Sequence, residues 1–259
     1  MLDGVVSWPP EFRERYRAQG YWRGTPLGDA FDGAVTENAE RVAVVDGARR
    51  VTYRELGVLV DRLARHLASR GIASGARAVF QLPNVLEFVV GYFACLKVGA
   101  IPLTCLPAHR HAEIGYLAKF TEAAAWFIPS ELRGFDYVTM ADELRENLPS
   151  LREIFVVGER ASRGMTRLAE LLDARGEART PAGSLERLRP RPEDVAVFQL
   201  SGGTTGLPKV IPRTHDDYLY NSRAFGAVTD CDRDTVLLVS VPIGHNFPLA
   251  CPGIQGPLL

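Results

Sequence analysis

The segment Asp194-Val195-Ala196-Val197-Phe198-Gln199-Leu200 runs without a break into Ser201-Gly202-Gly203-Thr204-Thr205-Gly206-Leu207-Pro208-Lys209. The first seven residues have the β-branched and apolar character of a central strand. The next nine hold three glycines, three hydroxyl residues and a lysine. Small residues let backbone N–H groups turn inward and come close to a phosphate. Hydroxyls add donors, and one cation can neutralise charge on a leaving pyrophosphate. The candidate phosphate-binding residues are therefore Ser201, Gly202, Gly203, Thr204, Thr205, Gly206 and Lys209. A short Gly/Thr run alone reads equally well as a flexible surface turn; the whole string after a strand points to phosphate.

Other phosphate motifs fail at this position. A Walker loop needs Gly-Lys-Ser or Gly-Lys-Thr, but Lys209 follows Pro208 and precedes Val210. No G-x-G-x-x-G pattern follows a predicted strand, which argues against a dinucleotide fold.

Working outward, strands and helices alternate. Thr52 and Glu55 have capping-box spacing, and Leu56, Leu59, Leu63 and Leu67 recur on one face of a helix that Gly71 stops. Ala78–Leu82 reads as a buried strand, and Asn84 as the cap of a second helix from Val85 to Val98, ended by Gly99. Ala100–Leu103, Ala124–Ile128 and Ile154–Val157 read as further strands, and Glu113–Phe120 and Met165–Arg175 as helices. Gly176 to Pro192 is a polar loop, a helix starts near His215, and Val236–Val241 reads as another buried strand. Such alternation predicts an α/β fold with mostly parallel sheets flanked by helices.

Composition narrows the class. With 46% hydrophobic and 24% charged residues the chain is an ordinary globular sequence, and a net charge of −1 gives no electrostatic case for nucleic acid or an anionic membrane. Lys97, Lys119 and Lys209 are the only lysines, so one inside a glycine-rich loop is unlikely filler. Cys95, Cys105, Cys231 and Cys251 show neither metal-site spacing nor a disulfide framework, and no metal ligands are expected. The N-terminus has no signal-peptide pattern, and charged and proline residues interrupt the greasiest stretch, Val79–Leu106. A soluble, cytoplasmic protein is expected.

The nine-residue string resembles the phosphate-loop signature of the adenylate-forming superfamily, which includes acyl-CoA synthetases, luciferases and peptide-synthetase adenylation domains. Lys97-Val98-Gly99-Ala100-Ile101-Pro102 and Val51-Thr52-Tyr53-Arg54-Glu55-Leu56 resemble earlier motifs of that superfamily, in the same order. Trp8-Pro9-Pro10-Glu11-Phe12, Tyr16 and Gly20-Tyr21-Trp22-Arg23-Gly24 are similar to the leader of stand-alone aryl-acid adenylating enzymes of siderophore pathways. Residues 1 to about 24 are thus expected to form an N-terminal arm, whose aromatics also suit plain packing on the core.

Pro242-Ile243-Gly244-His245-Asn246-Phe247-Pro248-Leu249-Ala250-Cys251-Pro252-Gly253 resembles the acyl-pocket motif of enzymes activating 2,3-dihydroxybenzoate or salicylate. The resemblance implies that Asn246 hydrogen-bonds the 2-hydroxyl, since an amide both donates and accepts. It puts His245 near the carboxylate, Phe247 in the pocket wall and Cys251 beside ring carbon 3. A His-Asn pair before proline is, alone, more often a loop cap. A thiol behaves as a small hydrophobe, so Cys251 would favour salicylate over 2,3-dihydroxybenzoate.

The implied reaction is attack of an aryl carboxylate on the α-phosphorus of ATP, with Mg²⁺ bridging phosphate oxygens, then transfer to the phosphopantetheine thiol of an aryl carrier protein. The resemblance puts the metal-binding Glu, the ribose-holding Asp and the lysine of the mobile C-terminal domain beyond Leu259. Residues 1–259 would then be a partial large domain, weakly active or inactive alone, with no catalytic residue assigned. A non-catalytic nucleotide- or aryl-binding module and an acyl-CoA ligase of the same superfamily stay open. His109 and His111 read as surface residues, His66 as half exposed, Asp216-Asp217 as helix-dipole partners, and His215 as a possible nucleotide contact.

Overall fold

Alternation along three short strands decides which side of the sheet each helix covers. A computed structural model describes residues 4–173, 182–202 and 208–259. The chain opens with helices α1 (Pro10–Ala18) and α2 (Leu27–Glu37), then an antiparallel ribbon of β1 (Val42–Asp46) and β2 (Arg49–Thr52). There follow α3 (Tyr53–Ser69), β3 (Arg77–Phe80), α4 (Leu86–Lys97), β4 (Ile101–Thr104), α5 (His111–Phe120) and β5 (Ala125–Pro129). A two-residue ribbon, β6 (Glu131–Leu132) and β7 (Phe135–Asp136), leads to α6 (Tyr137–Arg145), β8 (Glu153–Val157), β9 (Thr166–Arg167) and α7 (Leu168–Leu172). A 3₁₀ segment, Ala182–Leu188, precedes the last strands and helices: β10 (Val195–Ser201), β11 (Lys209–Thr214), α8 (His215–Val228), α9 (Asn246–Ala250) and α10 (Gln255–Leu258).

Seven strands form one sheet in the order β11-β10-β4-β3-β5-β8-β9, parallel throughout except where β11 returns antiparallel to β10. Successive side chains of a strand face opposite sides. Ala78, Phe80, Ala125, Phe127 and Phe155 accordingly join α2, α3 and α4 in one core, while Val79, Trp126, Ile128, Ile154 and Val156 join α5 and α6 in another. This is the α/β, mostly parallel architecture that the alternation predicts. Parallel neighbours need crossover helices, and these leave both faces covered and the strands apolar on both sides.

The local signals that were strongest in sequence are realised. Thr52 caps α3 by accepting from the Glu55 N–H at 3.2 Å, and the Glu55 carboxylate accepts from the Thr52 N–H at 2.8 Å. Lys97 at the end of α4 pairs with Asp32 at 2.7 Å and with Asp61, tying α2, α3 and α4 together.

Four expectations need correction. Asn84 does not cap α4: its amide accepts from Ile243 N–H at 2.9 Å and donates to the Val239 and Val241 carbonyls. The N–H of Leu86 goes instead to the Asp46 carboxylate at 2.9 Å, a partner forty residues away. Met165–Arg167 is not helical, because Thr166–Arg167 pairs with β8; helix begins at Leu168, and residues 174–175 lie outside the described residues. Val236–Val241 is not a buried strand. Val236 is 93% and Leu238 88% exposed, and no described strand lies alongside to complete a ladder. His66 is buried, since the packed stripe of α3 also takes in Val60 and Ala64. Pro257 stands at the third position of α10, a one-turn helix, where an N–H would have no intrahelical partner and its absence in proline costs nothing.

Among the described residues no helix is long and apolar enough to cross a membrane.

Candidate active site

Pairing of β10 with β11 puts Ser201 opposite Lys209, at the end of the ribbon where the chain turns. A hydroxyl and an ammonium are thereby held side by side at a sheet edge. Lys209 is exposed and ion-paired to no described residue, which leaves its charge available to an anion. Gly202 is exposed as well. Gly203, Thr204, Thr205 and Gly206 lie outside the described residues. The part of the loop that is described fits a phosphate: one donor hydroxyl, one free cation and an open approach. A magnesium ion finds no comparable set, because among the described residues no group of three His, Cys, Asp or Glu side chains could hold a metal.

The second half of the site is the short helix α9. His245 caps it, with Nδ1 accepting from the Phe247 N–H at 3.2 Å, and is itself exposed. Phe247 is 56% exposed and meets Phe225 edge-on at 6.4 Å. Asn246 is half-buried, and Cys251 is buried at the helix's C-terminal end. Gly253 lets the chain fold back there: its φ is +53°, and a Cβ would stand 2.3 Å from the Leu249 carbonyl carbon. Behind this turn, Ser222 Oγ donates to the Ala250 carbonyl at 3.0 Å. Buried Gln255 donates to Ser222 and accepts from Tyr92 O–H at 2.7 Å.

A line of hydrogen bonds joins the two halves. Thr104 Oγ1 donates to Gln199 Oε1 at 3.2 Å, and Gln199 Nε2 donates to the Tyr218 hydroxyl at 2.9 Å. Tyr218 in turn donates to Asn246 Oδ1 at 2.9 Å. Asn246 Nδ2 then donates to Cys251 Sγ at 3.3 Å, and Asn221 Nδ2 reaches the same sulfur at 3.2 Å and the Ala250 carbonyl at 3.1 Å. The strand that ends in Ser201 is therefore two hydrogen bonds from Asn246. Burial pushes the Tyr218 phenol well above its ordinary range, so it keeps its proton. The Arg213 guanidinium, held by Asp217 at 2.9 Å, lies 4.9 Å over the Tyr218 ring.

Sequence reasoning named Asn246 and Cys251 on this line but missed Thr104, Gln199, Tyr218 and Asn221. Its one visible signal was Gln199, a polar residue inside an otherwise apolar strand; such a group is normally buried only with partners.

His215, a possible nucleotide contact from sequence, has a different role. It is buried, its Nδ1 accepts from the Leu27 N–H at 3.2 Å, and burial lowers its pKa to about 4. Asp216 beside it accepts from the Gly24 N–H at 2.9 Å and lies 3.6 Å from Arg17. Both residues fasten the N-terminal segment to the start of α8. The leader aromatics also pack: Trp8, Tyr16 and Trp22 form one cluster, and Tyr21 stacks on Tyr220 at 4.9 Å.

Comparison with known proteins gives this geometry a setting. The chain is 45% identical to a salicylyl-CoA synthase / salicylate adenylyltransferase of a Streptomyces species, over 99% of its own length and 46% of that protein's. It is 40% identical to the 2,3-dihydroxybenzoate-AMP ligase of Bacillus subtilis, over 100% of this chain and 46% of that one. An apo structure of MbtA from Mycobacterium smegmatis matches with a TM-score of 0.87 at 38% identity, covering 98% of this chain and 46% of that one. The chain thus spans about half the length of the curated relatives it matches. The family described as AMP-binding enzyme matches residues 31–254, and the chain belongs to that family.

Proposed function

We propose that this chain supplies the phosphate-binding loop and the aryl pocket of an enzyme that activates salicylate, in preference to 2,3-dihydroxybenzoate, as its acyl-adenylate. The hydrogen-bonded line from Gln199 on β10 to Asn246 and Cys251 on α9 carries this reading. It makes the phosphate ribbon and the aryl motif one construction. ATP is the co-substrate: Ser201, Lys209 and the loop between them would hold its phosphates, with Lys209 offsetting charge on the departing pyrophosphate. Magnesium would add charge neutralisation on phosphate oxygens, and no described side chain is assigned to it. Asn246 would meet the 2-hydroxyl, with His245 and Phe247 at the mouth of the pocket.

Cys251 argues for salicylate. Its sulfur already receives N–H groups from Asn221 and Asn246. A 3-hydroxyl brought against it would exchange water for a weak, occupied acceptor, at about 1–3 kcal/mol. That corresponds to a preference for salicylate of roughly tenfold or more. The aryl-adenylate would pass to the phosphopantetheine thiol of an aryl carrier protein in siderophore assembly, within the cytoplasm. The name of the Streptomyces relative favours coenzyme A as a second acceptor to compare.

ATP–pyrophosphate exchange tests the reading. The protein carrying this chain should exchange faster with salicylate than with 2,3-dihydroxybenzoate, and Cys251→Ser should narrow that ratio about tenfold. Faster exchange by the unaltered protein with 2,3-dihydroxybenzoate sinks the salicylate assignment, and no exchange with either acid sinks the activity. Acyl transfer to a carrier protein or to coenzyme A, measured side by side, decides the acceptor.

A further inference from the structure

We infer that Tyr218 is a positioning residue that turns the Asn246 amide so that it presents only N–H to the ligand, making the pocket selective for an aryl acid whose ortho substituent accepts a hydrogen bond. This rests on the aryl-acid reading above and adds the direction of the contact.

An amide facing an open pocket can offer either end. Here the choice is already made inside the protein. The Tyr218 O–H takes Asn246 Oδ1 at 2.9 Å. One proton of Asn246 Nδ2 goes to Cys251 Sγ, and its second N–H has no partner among the described residues. That N–H is what remains for a ligand.

Three features hold the orientation. Tyr218 is fully buried, so its hydroxyl has no water to fall back on. Its oxygen already receives Gln199 Nε2, so turning the Asn246 amide would set a donor against an oxygen that is already accepting. It would leave the phenol O–H unmatched unless Gln199 and Thr104 reversed as well. At the far end, Asn221 Nδ2 faces the Ala250 carbonyl, which can only accept, so a fixed N–H also meets the Cys251 sulfur. The phenol has the right ring chemistry too: Arg213 over its face makes the O–H a stronger donor.

A donor in this position discriminates among ortho-substituted benzoates. In 2-hydroxybenzoate the hydroxyl proton closes an internal hydrogen bond to the neighbouring carboxylate, and the oxygen lone pair is left for Asn246. In 2-aminobenzoate the nitrogen lone pair is drawn into the ring, and the group offers only N–H against N–H. Benzoate has nothing there to be recognised.

Tyr218→Phe removes the hydroxyl and keeps the ring. For the protein carrying this chain, KM for 2-hydroxybenzoate in pyrophosphate exchange should rise about tenfold while that for benzoate changes less than about twofold. The preference for 2-hydroxybenzoate over 2-aminobenzoate should fall with it. An equal loss on benzoate, or no loss on 2-hydroxybenzoate, overturns the assignment. Gln199→Leu, which removes the donor behind Tyr218, should act in the same direction and replaces Tyr218→Phe should that variant not fold. A ligand-free measurement separates this inference from the reading beneath it. The side-chain amide NMR signals of Asn246, identified by their loss in Asn246→Ala, should shift in Tyr218→Phe. Unshifted signals overturn the positioning role whatever the protein binds; shifted signals in a protein that turns over no aryl acid sink the activity and leave the hydrogen bond standing.

Discussion

The middle of the sheet and the segment from Cys231 to Leu259 are built on opposite plans. Between Arg77 and Val157, strand and helix alternate at regular spacing, and nearly every apolar side chain is inside one of two cores. Between Cys231 and Leu259 there is no strand, Val236 and Leu238 are almost bare, and from Ile243 onward a few buried side chains are joined by side-chain bonds to distant residues. Asn84 holds its approach, and Ser222, Gln255 and Tyr218 hold its turn. One region is held almost wholly by burial; the other buries only a few side chains, among them Ile243, Leu249, Ala250 and Leu258, and adds directed bonds to them, and the candidate aryl pocket is in the second. A pocket needs polar groups aimed at an opening, which a close-packed core cannot offer.

The largest expected effect falls in the first region. Phe127 is fully buried, with its ring stacked on Phe80 at 4.3 Å and tilted against Phe155 at 4.7 Å. Phe127→Ala should destabilise the protein by about 3–5 kcal/mol in a denaturant titration, through lost burial and the cavity left behind. A loss below about 1 kcal/mol would mean that this face of the sheet is not the packed core described.

That region was also the more legible one. Short apolar runs, the Thr52–Glu55 box and the glycine stops are local signals, and each can be read within a few residues. Asn84 shows where such reading ends. Its spacing fits a helix cap, yet its partners are 155 to 159 residues away. Tyr218 and Asn221 were invisible for the same reason: what they do depends on Asn246 and Cys251, which no local period announces. The Val236–Val241 run had every strand signal except a partner strand, and only the fold can show that lack. The loop string was found because its residue types are unusual together, and the His245–Cys251 motif because it resembles a known acyl-pocket motif; the geometry of neither could be read.

A middle-sized effect comes from outside both regions, at the start of α8, where His215 receives the Leu27 N–H. Burial lowers its pKa to about 4, against an ordinary value of 6.5. The folded protein therefore resists a proton that the unfolded chain accepts. Stability from this residue is fully present above about pH 6.5 and is lost as pH falls toward 4. Between pH 7 and pH 5 the loss should be about 2 kcal/mol. His215→Asn keeps an acceptor for Leu27 without a titrating ring, and should flatten that part of the stability–pH curve. An unchanged slope in the variant would show that His215 is not the group that titrates.

The smallest effect sharpens the comparison most. Leu238 is 88% exposed, so serine there removes little packed apolar area. Leu238→Ser should move stability by under about 0.5 kcal/mol, roughly a tenth of the Phe127→Ala loss. The same class of apolar side chain would then differ in weight according to whether a core surrounds it, which is how burial energetics work. A loss above about 1 kcal/mol would break the contrast. It would mean that Leu238 is covered in solution and that the apolar run Val236–Val241 is an interface. The sequence reading of that run as buried would then hold for the assembled protein.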